Sequence, residues 1–133
     1  MPWEFVDHLP IYAQLVEQLK RRIVTGDYPP GSKLPSVREL AADAAVNPNT
    51  VQRAFAELER SGLIYTQRAT GKFVTDDAPA ILDARRQLAS AQIEAFLSAM
   101  RSMGYLPGEA VSMLEQAVEE QKKEEEQHAD SGM

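Results

Sequence analysis

The side chains that invite a chemical role in this sequence are polar and cationic, and they cluster. Asn49, Thr50, Gln52 and Arg53 follow closely behind Asn47-Pro48, and Arg38 precedes them on a separate segment. Such groups hydrogen-bond anionic oxygens and base edges, and a guanidinium can grip phosphate or guanine with two bonds at once. They supply no nucleophile and no acid–base pair. The chain has no cysteine, which removes disulfides, thiolate zinc sites and cysteine nucleophiles together. His8 is isolated, and no cluster of serine, histidine and carboxylate or phosphate-cradling glycine loop occurs. An enzyme is therefore not expected, and neither is a cofactor. His128 lies beside Glu124, Glu125 and Glu126. That group is either a metal-ligand set or part of a solvated acidic run; lacking convergent structure, it reads as the latter, and no metal is expected.

These residues need elements to hold them. Ile11, Leu15, Val16, Leu19 and Ile23 recur at three- and four-residue spacing before Gly26, which predicts a first helix from about Ile11 to Thr25. Asp27-Tyr28-Pro29-Pro30-Gly31 forbids its continuation and forms a fixed loop leading to Leu34 and Pro35. Ser36-Val37-Arg38-Glu39 matches a capping box, with two reciprocal hydrogen bonds expected between Ser36 and Glu39. A short second helix follows, turning Val37, Leu40, Ala41 and Ala44 inward. Asn47-Pro48 is an N-cap with proline at the first helical position, so a third helix starts there. That helix buries Val51, Phe55 and Leu58, presents Asn49, Gln52, Arg53 and Glu57 on its other face, and stops at Ser61-Gly62. Two short helices joined by a tight turn, the second opening on polar residues, make a helix-turn-helix.

Leu63 to Gln67 reads as a strand, Arg68-Ala69-Thr70-Gly71 as a turn, and Lys72 to Thr75 as the returning strand. This hairpin is the expected wing. After Asp76-Asp77-Ala78-Pro79, a long amphipathic helix stopping at Gly104 and a last helix from Pro107 are expected. Their apolar stripes include Ile93, Phe96, Leu97, Met100, Met103, Leu114 and Val118. The fold class is thus α+β, mainly α: an N-terminal winged helix-turn-helix over residues 1–77, a two-helix dimerisation region over 78–121, and an acidic, disordered tail over 122–133. Two such helices do not bury both stripes alone, so a second copy of the chain completes the core, or else the stripes line a ligand pocket.

The 133 residues carry a formal net charge of −6, against the basic footprint usual in nucleic-acid binders. Distribution resolves the conflict. Through Asp77 nine basic residues face ten acidic ones, whereas beyond it five face ten. The acidity sits behind the proposed DNA-binding half. The start of the chain has no basic segment followed by an apolar run and no stretch approaches a membrane-spanning length, so a soluble, cytoplasmic protein with no membrane partner is expected.

The ordered segments Pro10-Ile11-Tyr12, Pro30-Gly31, Leu34 to Ala41, Asn47 to Ala54 and Gly71 to Val74 resemble the DNA-binding domain of GntR-family regulators, from about Trp3 to Thr75. The short two-helix tail resembles the YtrA subfamily, as does the form Asn47-Pro48-Asn49-Thr50. That resemblance implies a homodimeric repressor of a nearby operon, transporter operons being common, without the large effector domain of other branches. It implies double-stranded operator DNA, an inverted repeat, as partner. It also carries DNA contact onto Arg38, Asn49, Thr50, Gln52 and Arg53, and onto the wing residues Arg68, Thr70, Gly71 and Lys72. Many wings of the family turn on Gly-x-Gly, whereas this chain has Ala69-Thr70-Gly71.

Each assignment has a plainer alternative. Arg38 and Arg53 either reach DNA or pair with neighbours such as Glu39 and Glu57. Asn49 and Thr50 either contact phosphate or join Asn47 in satisfying the helix N-terminus. For the whole chain the expected function is a sequence-specific DNA-binding regulator. The alternatives are a winged helix turned protein-interaction module, and a sensor with an unidentified small-molecule effector between its C-terminal helices.

Overall fold

In a computed structural model, which describes residues 2–131, the first apolar stripe folds as α1 (Ile11–Val24), burying Leu15, Val16, Leu19 and Ile23. The segment before it is not loose. Gln14 Nε2 donates to the Val6 and Leu9 carbonyls at 2.9 and 3.0 Å, Val6 N donates to Gln14 Oε1 at 2.8 Å, and Gln18 Nε2 donates to the Glu4 carbonyl at 2.6 Å. Two α1 glutamines thereby fix an N-terminal arm. At its start, the Trp3 ring stacks 3.7 Å from the Arg22 guanidinium, and Trp3 Nε1 donates to Asp43 at 2.9 Å. Arg22, buried to 7% exposure, is also paired with Asp27 at 3.2 Å, so the charge taken from water keeps a counter-ion.

Helix α2 (Val37–Ala44) starts where Ser36 Oγ accepts from Glu39 N at 3.1 Å. Of the two bonds expected of a capping box, this is the one formed. The helix ends on Ala45, which adopts the left-handed conformation at φ 57°, ψ 47°. Non-glycine residues adopt it at a cost of about 1 kcal/mol. Val46 N then donates to the Ala41 carbonyl at 3.0 Å, closing the turn of the helix-turn-helix.

Helix α3 (Pro48–Arg60) has Asn47 as its cap, with Asn47 Oδ1 accepting from Asn49 N at 2.8 Å. Its end is a Schellman motif. Leu63 N donates to the Leu58 carbonyl at 3.0 Å and Gly62 N to the Glu59 carbonyl at 3.1 Å, with Gly62 at φ +81°. Strands β1 (Ile64–Gln67) and β2 (Gly71–Val74) pair antiparallel, Ile64 opposite Val74 and Gln67 opposite Gly71. The loop before α2 adds to the sheet. Leu34 N donates to the Lys72 carbonyl at 2.8 Å and Val74 N to the Ser32 carbonyl at 2.9 Å. β2 is thus bonded on both edges, a pairing the sequence reading places in a loop because prolines 29, 30 and 35 flank it.

The fold class is the expected one: a winged helix-turn-helix followed by two helices, α4 (Ala78–Ser102) and α5 (Pro107–Ser131). The chain divides into two compact units, Met1–Leu88 and Ala89–Met133. The first includes the start of α4, rather than ending near Asp77, because Ala84 is buried in its core and Ile81 packs against it. That core joins Leu15, Leu19, Ile23, Leu40, Val51, Phe55, Leu58 and Val74. In the second unit, burial among the described residues is confined to Met100 and Ala110, beside the turn at Gly104. Leu106 N donates to Glu109 Oε1 at 2.9 Å and starts α5. α5 then runs through the charged segment expected to be disordered, as far as Ser131. Glutamate, lysine and glutamine are strong helix formers, and no proline or glycine interrupts them there. The remainder of the expected tail, 132–133, lies outside the described residues.

Candidate nucleic-acid interface

The interface is built on α3. Because Val51, Ala54, Phe55 and Leu58 are buried against α1 and α2, the helical period turns Asn49, Gln52 and Arg53 to solvent; all three are exposed, and Thr50 is half-buried at the helix start. Asn47 is consumed as the cap. The side chains of Asn49 and Gln52 make no hydrogen bond to other described residues, so their amides are available to an external partner.

Neither alternative arginine pairing, Arg38 with Glu39 or Arg53 with Glu57, occurs among the described residues. Arg38 is exposed on α2 and makes no ion pair or hydrogen bond with another described residue. Arg53 lies with its guanidinium 4.0 Å from the centroid of the Tyr12 ring on α1, a cation–π contact. Glu57, one turn further along α3, is bonded instead to Arg60. That bond is the largest influence holding the Glu57 carboxyl below the ordinary carboxylate value, with Lys20 and Tyr12 adding to it. The carboxylate best placed to neutralise Arg53 is therefore engaged elsewhere.

The wing is braced to the same helix. Lys72 Nζ donates to Thr66 Oγ1 at 2.8 Å, Thr66 Oγ1 donates to Glu59 Oε1 at 2.6 Å, and Lys72 Nζ lies 3.4 Å from Glu59 Oε2. The Thr66 bond, with the Lys72 charge, lowers the Glu59 carboxyl from its ordinary value. Lys72 is accordingly half-buried in the brace. The cross-strand rings of Tyr65 and Phe73 stack at 5.7 Å and stiffen the hairpin. At its tip, Arg68 and Thr70 are exposed, Ala69 has φ +67°, and Gly71 has φ +119°. A Cβ on Gly71 would also stand 3.1 Å from Lys33 Cε.

The start of α2 and the wing line one cleft of about 310 Å³, with Ser36, Glu39, Thr66, Thr70, Gly71 and Lys72 on its walls. Lys33 lines it too, exposed and with no ion pair among the described residues. Sequence reasoning gives no role to Lys33, nor to Tyr12 beyond its place in the Pro10-Ile11-Tyr12 segment. The only available signal for Lys33 was a cation just before the Pro35-Ser36 helix start, and Tyr12 lies one helix away from the motif it touches.

In the second unit, Ile93 and Met103 are 59% and 64% exposed, and Leu114 and Val118 are exposed as well. Phe96 and Leu97 are half-buried, whereas Met100 is buried within its own chain. Among the described residues no three His, Asp or Glu side chains gather to hold a metal ion, and no helix is long and apolar enough to cross a membrane.

Residues 11–74 match the model of the family described as bacterial regulatory proteins, gntR family. The chain is similar to the HTH-type transcriptional regulator YhcF of Bacillus subtilis, 39% identical over 101 residues that cover 76% of this chain and 84% of that protein. It is also similar to the HTH-type transcriptional repressor YtrA of the same organism, 48% identical over 73 residues, 55% of this chain and 56% of that one. Among solved structures, a GntR family transcriptional regulator from Listeria monocytogenes superposes with a TM-score of 0.77 at 43% identity, covering 84% of this chain and 98% of that chain.

Proposed function

The chain belongs to the gntR family of bacterial regulatory proteins, and from that premise we propose that it is a homodimeric repressor of an inverted-repeat operator. Membership makes it a DNA-binding transcriptional regulator, and the likeness to a repressor supports the direction of control. The observation that carries the reading is the exposed polar face of α3. Its opposite face is consumed by the core, its cap is supplied by Asn47, and its first turns offer Asn49, Thr50, Gln52 and Arg53 to a groove. In this reading Arg53, Asn49 and Gln52 meet base edges in the major groove, Thr50 and Arg38 meet phosphate or guanine, and Arg68 to Gly71 enter the neighbouring minor groove. Lys72 acts from within the brace.

The exposed stripes of Ile93, Met103, Leu114 and Val118 belong against a second copy of the chain, since apolar surface of that extent is costly to leave in water. Phe96 and Leu97 extend the same surface, with Met100 behind it. A two-fold dimer sets two α3 helices about 34–36 Å apart, one turn of B-DNA. Regulation of a neighbouring operon follows from the subfamily resemblance.

Selection of duplexes from a random-sequence library by the full chain tests this. An inverted repeat is expected to emerge, with affinity falling steeply as salt rises because each phosphate contact releases counterions. Arg38→Ala is expected to weaken binding about tenfold. A library that yields no enriched sequence, or binding indifferent to salt, overturns the reading in favour of a protein-interaction module.

A further inference from the structure

We propose that Tyr12, on α1 and outside the helix-turn-helix, is a specificity-determining positioning residue: its ring holds the Arg53 guanidinium in the plane from which it reads DNA. The inference rests on the proposed contact between Arg53 and DNA. An arginine on an exposed helix face ordinarily samples many rotamers, and ordering it on binding costs conformational entropy. Here the guanidinium lies 4.0 Å from the Tyr12 centroid. A stacked guanidinium covers one of its faces and keeps the N–H groups at its edge unspent, and that edge forms the two-bond contact to guanine or phosphate.

The competing destination is closed as well. Glu57 stands four residues after Arg53, at the spacing where an ion pair would form on a helix, but it is bonded to Arg60. Among the described residues no carboxylate is paired with Arg53. The guanidinium is thus oriented by an aromatic face, which leaves its donors open, rather than by an anion, which would occupy them. α1, usually only a support for the recognition helix, contributes to readout through one ring.

Tyr12→Leu, Tyr12→Phe and Arg53→Ala, singly and with Arg53→Ala combined with each Tyr12 variant, would be titrated against the inverted repeat enriched by the full chain and against a scrambled duplex. Tyr12→Leu removes the ring and is expected to lower affinity for the enriched duplex about threefold to tenfold, with little change on the scrambled one. Tyr12→Phe keeps the ring and should restore binding to near the parent level. In the Arg53→Ala background, Tyr12→Leu should have no further effect. A fold defect would act in both backgrounds and on both duplexes, so the double-mutant comparison remains decisive even if Tyr12→Leu lowers stability. If Arg53→Ala weakens binding but Tyr12→Leu does not, or if the two losses simply add, the positioning role is overturned while the DNA contact stands. If Arg53→Ala itself changes nothing, the contact is overturned and the inference with it.

Discussion

The two units of this chain solve the burial problem differently. In the first, Phe55, Leu58, Leu15 and Leu19 are sealed by three helices and a sheet whose middle strand is bonded on both sides. In the second, the remainder of α4, the turn after it and α5 leave Ile93, Met103, Leu114 and Val118 exposed, and among the described residues only Met100 and Ala110 are buried. One unit has completed its core within a single chain; the other has apolar surface without an inside. A hydrophobic pattern at helical spacing therefore has two meanings here, and burial distinguishes them. Where it converges on other elements it specifies a fold, and where it does not it leaves the exposed apolar surface that the proposed dimer would cover.

The strongest way to break this contrast is to separate the units. A fragment ending at Leu88 is expected to keep the winged helix-turn-helix, Ile81 and Ala84 included, yet to be monomeric by sedimentation. Its affinity for the enriched inverted repeat should fall by about 10²- to 10⁴-fold, the effective-concentration gain lost with the second recognition helix. Binding to random DNA should hold or strengthen, because nine acidic residues and only three basic ones lie beyond Leu88 and leave with the tail. A fragment that stays dimeric would show that the second unit serves another purpose.

The same contrast is testable with one substitution on each side. Phe55→Ala opens the sealed core and should cost about 3–5 kcal/mol in chemical denaturation. Leu114→Glu should leave the unfolding free energy of the first unit unchanged but raise the dissociation constant of the proposed dimer about 30-fold, a loss of about 2 kcal/mol, read by dilution in analytical ultracentrifugation. Equal effects of the two on monomer stability would erase the distinction.

Gly71→Val should act on the wing alone. A β-branched residue resists φ +119°, and its Cβ would press on Lys33. A loss of about 1–3 kcal/mol in operator binding is expected, with the dimer dissociation constant unmoved. Ala45→Gly is the smallest and most favourable change. It relieves the left-handed strain between α2 and α3 at an exposed position, and a net gain of up to about 0.5 kcal/mol should appear in thermal unfolding once the greater freedom of unfolded glycine is subtracted.

Local signals in the sequence were readable where the physics is local. Ser36, Asn47-Pro48 and Gly62 mark helix ends because capping involves only neighbours a few residues away, and each does so in the structure. The winged-helix order followed from those ends together with the period of Leu15, Val51 and Phe55. Contacts set by tertiary packing were not readable. Ser32 to Leu34 join β2 across about forty residues of chain, Trp3 reaches Asp43, and Tyr12 reaches Arg53, and no spacing rule links such pairs. A break at Ala45-Val46 is readable from the Asn47-Pro48 helix start that follows it, but the left-handed conformation of Ala45 is not, because alanine favours helix and only the closure of the turn forces it to that side. The composition of the charged run from Lys122 fits a disordered segment and an exposed helix equally, and so does not distinguish them.

The anchoring of Trp3 has a spectroscopic consequence. It is the chain's single tryptophan, and it is held between a cationic face and the end of α2. Excitation at the red edge of protein absorbance thus interrogates one place in the molecule, where the N-terminal arm crosses the first two helices. Release of the arm should shift the emission to longer wavelength as the ring enters water, and acrylamide should then quench it more readily. Dissociation of the proposed dimer by dilution, through the surface of Leu114 and Val118, should leave both signals as they were. The protein therefore contains its own dye for the integrity of the DNA-binding unit.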